Sequence, residues 1–191
     1  MPVARHFIEG PTEADSNIYN VTCSLDKLPT REVIERILVD YVLYLIGQRG
    51  HEGLPLFEEK RGRTEWHKTT QYIMECLVDR AAEFEKAFLP RFRNHQALLF
   101  IRPETMEVDF VQTLEAIWSD GLANWGRFLG FISFVGAYCL SALNAGIVYK
   151  IKFLVEAAVD NLDKRIGRWI QQNGGWRICY LQLKSMNQDD L

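Results

Sequence analysis

From Phe128 to Tyr149, between Arg127 and Lys150, the chain carries no charged residue, a run of 22 positions. About twenty apolar residues make a helix long enough to cross a bilayer. The run must therefore lie in lipid or at the centre of a folded body. Gly130, Ser133, Gly136, Ser141, Asn144 and Gly146 are spread among apolar residues on every side of it, with no single stripe. A helix that is apolar all round is buried in one medium or the other. Amphipathic segments precede and follow it, and their apolar faces need a surface to cover. A central helix wrapped by them meets both demands, so the run reads as core, with membrane insertion kept as a conditional alternative. Gly126 and Gly130, four apart, would let a neighbouring backbone approach in either setting.

The flanking segments repeat at helical spacing. Val33, Ile34, Ile37, Leu38, Tyr41, Tyr44 and Leu45 mark a first helix, with Thr30 as its N-cap and Gly47 or Gly50 as its stop. Residues 50–64 are rich in glycine and charge and read as a loop. Ile73, Leu77, Ala81, Phe84 and Phe88 define a second helix that Pro90 ends near Leu89. Pro103 and Thr105 introduce a third, with Phe110, Val111, Leu114, Ile117 and Trp118 on one side. Beyond the uncharged run, Ile151, Leu154, Val155, Ala158, Val159, Leu162 and Ile166 share a face, and short helices flank Gly174-Gly175. No period-two alternation or internal repeat occurs. The expectation is an all-α fold of six to eight helices: residues 1–29 a partly flexible extension, 30–185 the helical domain and 186–191 a polar tail.

Several function classes are disfavoured. Lys plus Arg number 22 against 25 Asp plus Glu, a net charge of -3 where a nucleic-acid binder needs a basic face. The cluster Lys60-Arg61-Gly62-Arg63 is too short to reverse that. The N-terminus lacks the apolar core of a secretory signal, and LKSMNQDDL at the other end suggests no tail anchor. Cys23, Cys76, Cys139 and Cys179 are widely spaced, which favours reduced thiols and a cytoplasmic setting. His6, His51, His67 and His95 have no metal-binding spacing, and no nucleophile elbow, dinucleotide fingerprint or P-loop occurs. The chain reads as a non-enzyme with no cofactor or metal.

NWGRFLGFISFVGAYC, Asn124 to Cys139, resembles the first homology region of the Bcl-2 family of apoptosis regulators. WIQQNGGW, Trp169 to Trp176, is similar to the second, and the two occur in the family's order. Weaker likenesses extend from about Thr30 to Leu183. Val33 to Leu45 resembles the fourth region, and LVDRAAEFE, Leu77 to Glu85, resembles the third. Ala81-Ala82 replaces the third region's usual Gly-Asp pair, and Asp120 to Asn124 is one residue longer than usual before NWGR. The resemblance implies a bundle of about eight helices around a hydrophobic hairpin, Asn124–Leu143 and Lys150–Ile166. It also implies a surface groove for an amphipathic helix, a recognition mode for which this family is a standard example.

By that resemblance, Arg127 pairs with the aspartate of an incoming helix, as a guanidinium suits a carboxylate geometrically. Asn124 caps the central helix and meets the ligand's polar side, and Gly126 lets the ligand backbone approach. Phe84, Phe88, Phe92, Leu114, Leu129 and Phe134 match positions that line the groove, although each could equally be plain core. Trp125, Trp169, Gly174, Gly175 and Trp176 read as structural, with Gly174 supplying a left-handed residue at a helix end.

The leading reading is an inhibitor of apoptosis that sequesters the third-region (BH3) helix of pro-apoptotic relatives, from BH3-only proteins such as Bim or from effectors such as Bak and Bax. The intact groove signature, the altered Ala81-Ala82 and the absence of a tail anchor in this sequence favour survival over killing. A short first loop suggests a compact, virus-encoded version acting in a host cell. Peripheral association with the mitochondrial outer membrane and a homodimer both stay open. The alternatives are a pore-forming effector and a self-associating protein with an occluded groove.

Overall fold

The computed structural model describes residue 20 and residues 25–58, 70–83 and 101–186. Within them the secondary structure is helical, without strands. We label the helices α1 (Thr30–Gly47), α2 (70–83), α3 (Met106–Ile117), α4 (Trp125–Asn144), α5 (Ile151–Leu162), α6 (Arg168–Gln172) and α7 (Gly175–Ser185). This is the all-α bundle expected.

The uncharged run forms most of α4 and is mainly core. Phe128, Leu129, Phe131, Ile132, Val135, Cys139 and Ala142 have no exposed surface. Helices α1 and α3 each pack on both α4 and α5, so the α4–α5 hairpin is the centre of the bundle. Burial of these side chains stabilises by roughly 25 cal/mol per Å² of apolar surface removed from water, which drives the wrapping.

Helices α1 and α4 approach closely at Gly136. A Cβ added at Gly136 would lie 2.5 Å from Leu45 Cδ1 and 2.6 Å from Tyr41 Cε1, so any larger residue there forces those side chains to shift. The close approach assigned from sequence to Gly126 and Gly130 is thus made, on the α1 side, at Gly136. Helix α1 is also buried at Val39, Val42 and Ile46, a wider surface than the expected stripe, and it turns Tyr44 outward, 41% exposed. Its N-cap is Pro29, which corrects the expectation for Thr30. The Thr30 hydroxyl instead accepts a hydrogen bond from Gln171 Nε2 at 2.8 Å. On α3, Phe110 and Leu114 face inward, as does Trp118 at its C-cap, whereas Val111 is 38% exposed.

The hairpin's second arm is longer than expected. A 3₁₀ turn (Val148–Lys150) leads into α5, a π-helical turn (Asp163–Gly167) follows, and α6 continues from it. The packed body includes residues on either side of these helices. Leu25 has no exposed surface, Met186 is buried, and Asp26 accepts the Trp176 backbone N–H at 2.6 Å at the start of α7. A carboxylate there satisfies an amide with no partner inside the helix. At the other end of α7, Arg80 of α2 donates to the carbonyls of Leu183 (3.0 Å) and Lys184 (3.2 Å).

Candidate functional site

Helix α4 is not covered equally on all sides. Arg127, Gly130, Phe134, Ala137 and Ser141 are half-buried, and they step along the helix by three and four. That spacing makes one continuous stripe from the first turn to the last. Most of the remaining positions are buried. The expected site residues on α4 sort accordingly. Arg127 and Phe134 lie on the stripe and Gly126 is half-buried beside Arg127, while Leu129 points wholly into the core. Leu114 of α3 is fully buried too, so Leu114 and Leu129 present no surface of their own. Phe84, Phe88 and Phe92 lie outside the described residues.

Arg127 stands at the open end of the stripe, its side chain 24% exposed. Asn124 is extended, and its Oδ1 accepts the Arg127 backbone N–H at 2.7 Å, an N-cap that fixes where α4 begins. The Arg127 guanidinium is already engaged. Nη1 donates to Asp120 Oδ1, Nη2 donates to Asp120 Oδ2 at 2.8 Å, and Nη1 also donates to the Leu122 carbonyl at 2.8 Å. The Asp120 carboxyl is held well below the usual carboxylate range, first by Arg127 and then by the Leu122 N–H. The same pairing raises Arg127, which keeps it cationic. Sequence reasoning missed Asp120 as a partner, because its link to Arg127 depends on a loop that doubles back.

The two sequence motifs meet in space. The Trp125 ring lies 4.8 Å from Trp169 and 5.9 Å from Phe128, and Phe128 lies 6.4 Å from Trp176. Gly174 (φ 88°) and Gly175 (φ 66°) both have the positive φ that glycine adopts without strain, and they reverse the chain between α6 and α7. That reversal sets Trp169 and Trp176 against the start of α4. Phe134 stacks on Phe110 at 5.8 Å, and Tyr138 contacts both rings while donating its hydroxyl to the Met106 carbonyl at 2.9 Å. The stripe therefore has a polar corner at Arg127 and an aromatic floor at Phe134.

Among the described residues no group of His, Cys, Asp and Glu could hold a metal ion. Helix α4 is the one described helix long and apolar enough to cross a membrane, by length and composition.

The model of the family described as "Apoptosis regulator proteins, Bcl-2 family" matches residues 74–176, which include α3, the Arg127 corner and both tryptophan motifs. The chain belongs to the Bcl-2 family. Similar relatives include Bcl-2-like protein 1 of Gallus gallus, 26% identical over 178 residues, covering 73% of this chain and 77% of the relative. Apoptosis regulator R11 of Xenopus laevis is 30% identical over 104 residues, covering 54% of this chain and 50% of the relative. Apoptosis regulator Bcl-2 of Gallus gallus is 30% identical over 94 residues, covering 49% of this chain and 40% of the relative. The chain thus spans about half or less of the last two.

Proposed function

We propose that this Bcl-2 family member inhibits apoptosis by holding the amphipathic third-region helix of pro-apoptotic relatives along the half-buried stripe of α4. The carrying observation is the stripe itself, only half-buried along one helical face, with Arg127 at its end. Phe134 would receive an apolar anchor, and a ligand aspartate would pair with Arg127. Gly126 and Asn124 would let the ligand backbone and its polar side come close. Phe84, Phe88 and Phe92 would complete the trough. The partners are of the kind of Bim, Bak and Bax, met in the cytoplasm and at the mitochondrial outer membrane.

Calorimetric titration with synthetic third-region peptides tests this. Binding at or below micromolar concentration is expected, and Arg127→Ala should weaken it by about 2 kcal/mol, roughly thirtyfold. No binding to any such peptide would overturn the proposal. The apolar length of α4 favours one rival, a pore-forming effector that inserts this helix into the outer membrane. Release of dye from liposomes on addition of activating peptide would support the rival and count against sequestration.

A further inference from the structure

The Arg127 corner holds a carboxylate of its own. We propose that Asp120 is a built-in competitor for the ligand carboxylate, a latch on the Nη1–Nη2 fork of Arg127 that an entering helix must displace to use that fork. This rests on the groove reading above.

A guanidinium offers five N–H donors in a fixed fork. Asp120 takes one from Nη1 and one from Nη2, and the Leu122 carbonyl takes the other on Nη1. Only Nε–H and one Nη2 hydrogen remain. A second carboxylate using them would sit beside the negative charge of the first. Pairing with the Nη1–Nη2 fork requires that Asp120 leave.

The latch is set by its own loop. Gly121 has φ +71°, and its N–H donates to the Trp118 carbonyl at 3.0 Å. The Leu122 N–H donates to Asp120 Oδ1, also at 3.0 Å, which fixes the carboxylate before Arg127 meets it. Trp118 is anchored in turn. Its Nε1 donates to Asn161 Oδ1 at 3.1 Å, and Asn161 Nδ2 donates to Glu115 Oε1 at 2.8 Å. The latch can nevertheless open, because the Asp120 side chain is 47% exposed and a pair so placed is weak. A ligand helix with a well-placed carboxylate replaces what it removes. One without it gains nothing from opening the latch. Asp120 thereby lowers the affinity for the acidic ligand and narrows its advantage over a ligand without the carboxylate.

The test uses two peptides and a charge-removing variant. Asp120→Asn keeps an Oδ1 acceptor for the Leu122 N–H while removing the negative charge. One peptide is an amphipathic helix with apolar anchors at i, i+3/4 and i+7 and one aspartate; the other replaces that aspartate with alanine. In calorimetric titrations Asp120→Asn should bind the acidic peptide roughly three- to fivefold more tightly than wild type. Its affinity for the alanine peptide should be unchanged. Asp120→Ala, which also removes the turn bond, should show the same selectivity if its melting curve remains cooperative. Equal or weaker binding of the acidic peptide by a folded Asp120→Asn overturns the latch and makes Asp120 a positioning residue for Arg127. A gain shared by both peptides overturns it as well. If wild type and Asp120→Asn bind neither peptide, the groove reading fails and the latch with it. If wild type binds and the variant gains nothing, the latch alone fails.

Discussion

The two sides of α4 solve opposite problems. Where α1 crosses it, the helix is sealed: Gly136 receives Tyr41 and Leu45 with no room for a methyl group unless they shift, and Cys139 is fully buried. Along Arg127, Gly130, Phe134, Ala137 and Ser141 the same helix is half open and begins with a charge. Close packing makes the sealed side intolerant of volume, since dense interiors cannot absorb an added group without shifting. The open side keeps its polar corner by internal pairing through Asp120. One helix is at once the keystone of the fold and the floor of the proposed site, and its two faces should respond differently to change.

The hardest test of that contrast is Gly136→Val. Its side chain would collide with Tyr41 and Leu45, so unfolding free energy should fall by about 3 kcal/mol, the upper range for overpacking. Urea denaturation followed by circular dichroism measures it. A loss under about 1 kcal/mol would mean the crossing is looser than described. Arg127→Ala, at the other face, should leave the denaturation midpoint near wild type while peptide binding falls.

A smaller effect should appear at alkaline pH. Burial pushes the Cys139 thiol up from 9.0 to about 12, and the Tyr138 phenol up from 10.0 to about 12. Both groups keep their protons longer when folded than when unfolded. Their contribution is complete below about pH 9 and is lost as pH climbs toward 12, because the unfolded chain ionises first. The melting midpoint should therefore decline between pH 9 and pH 11, less steeply in Cys139→Ala. A flat profile would contradict the burial of these two groups.

The smallest effect is expected at Ser133, which is buried on α4 with a hydroxyl that has no hydrogen-bond partner among the described residues. Ser133→Ala removes that unsatisfied group and improves helix propensity, so stability should rise by about 0.5–1 kcal/mol. A loss of stability on denaturant titration would show that the hydroxyl has a partner after all.

Much of this was legible in the residues. The uncharged run, the helical spacing of Ile73, Leu77 and Ala81, and the NWGR and WIQQNGGW motifs led to the bundle, its central helix and the family. Local patterns report local structure and burial well, because periodicity follows from helix geometry. They report facing partners poorly. Tyr44 and Val111 fit their helices' apolar spacing and yet face outward, since the neighbouring helices leave them uncovered. The Arg36–Asp40 pair, 2.8 Å apart and buried where Thr70 approaches from α2, reads in sequence as an ordinary solvated i,i+4 pair.

The sequence by itself determined that the chain is helical, that most of the uncharged run, Phe128 to Leu143, lies at its centre, and that Arg127 opens that helix behind an Asn124 cap. Only the tertiary structure decided which face of α4 is sealed and which is open. It also decided that Gly136 bears the α1 crossing, that the tryptophans of two distant motifs share one seam, and that Asp120 already holds Arg127. The physical reason is range. Helix periodicity and capping depend on residues within a turn or two, whereas coverage, close approach and charge pairing depend on how separate elements meet, which no local pattern encodes.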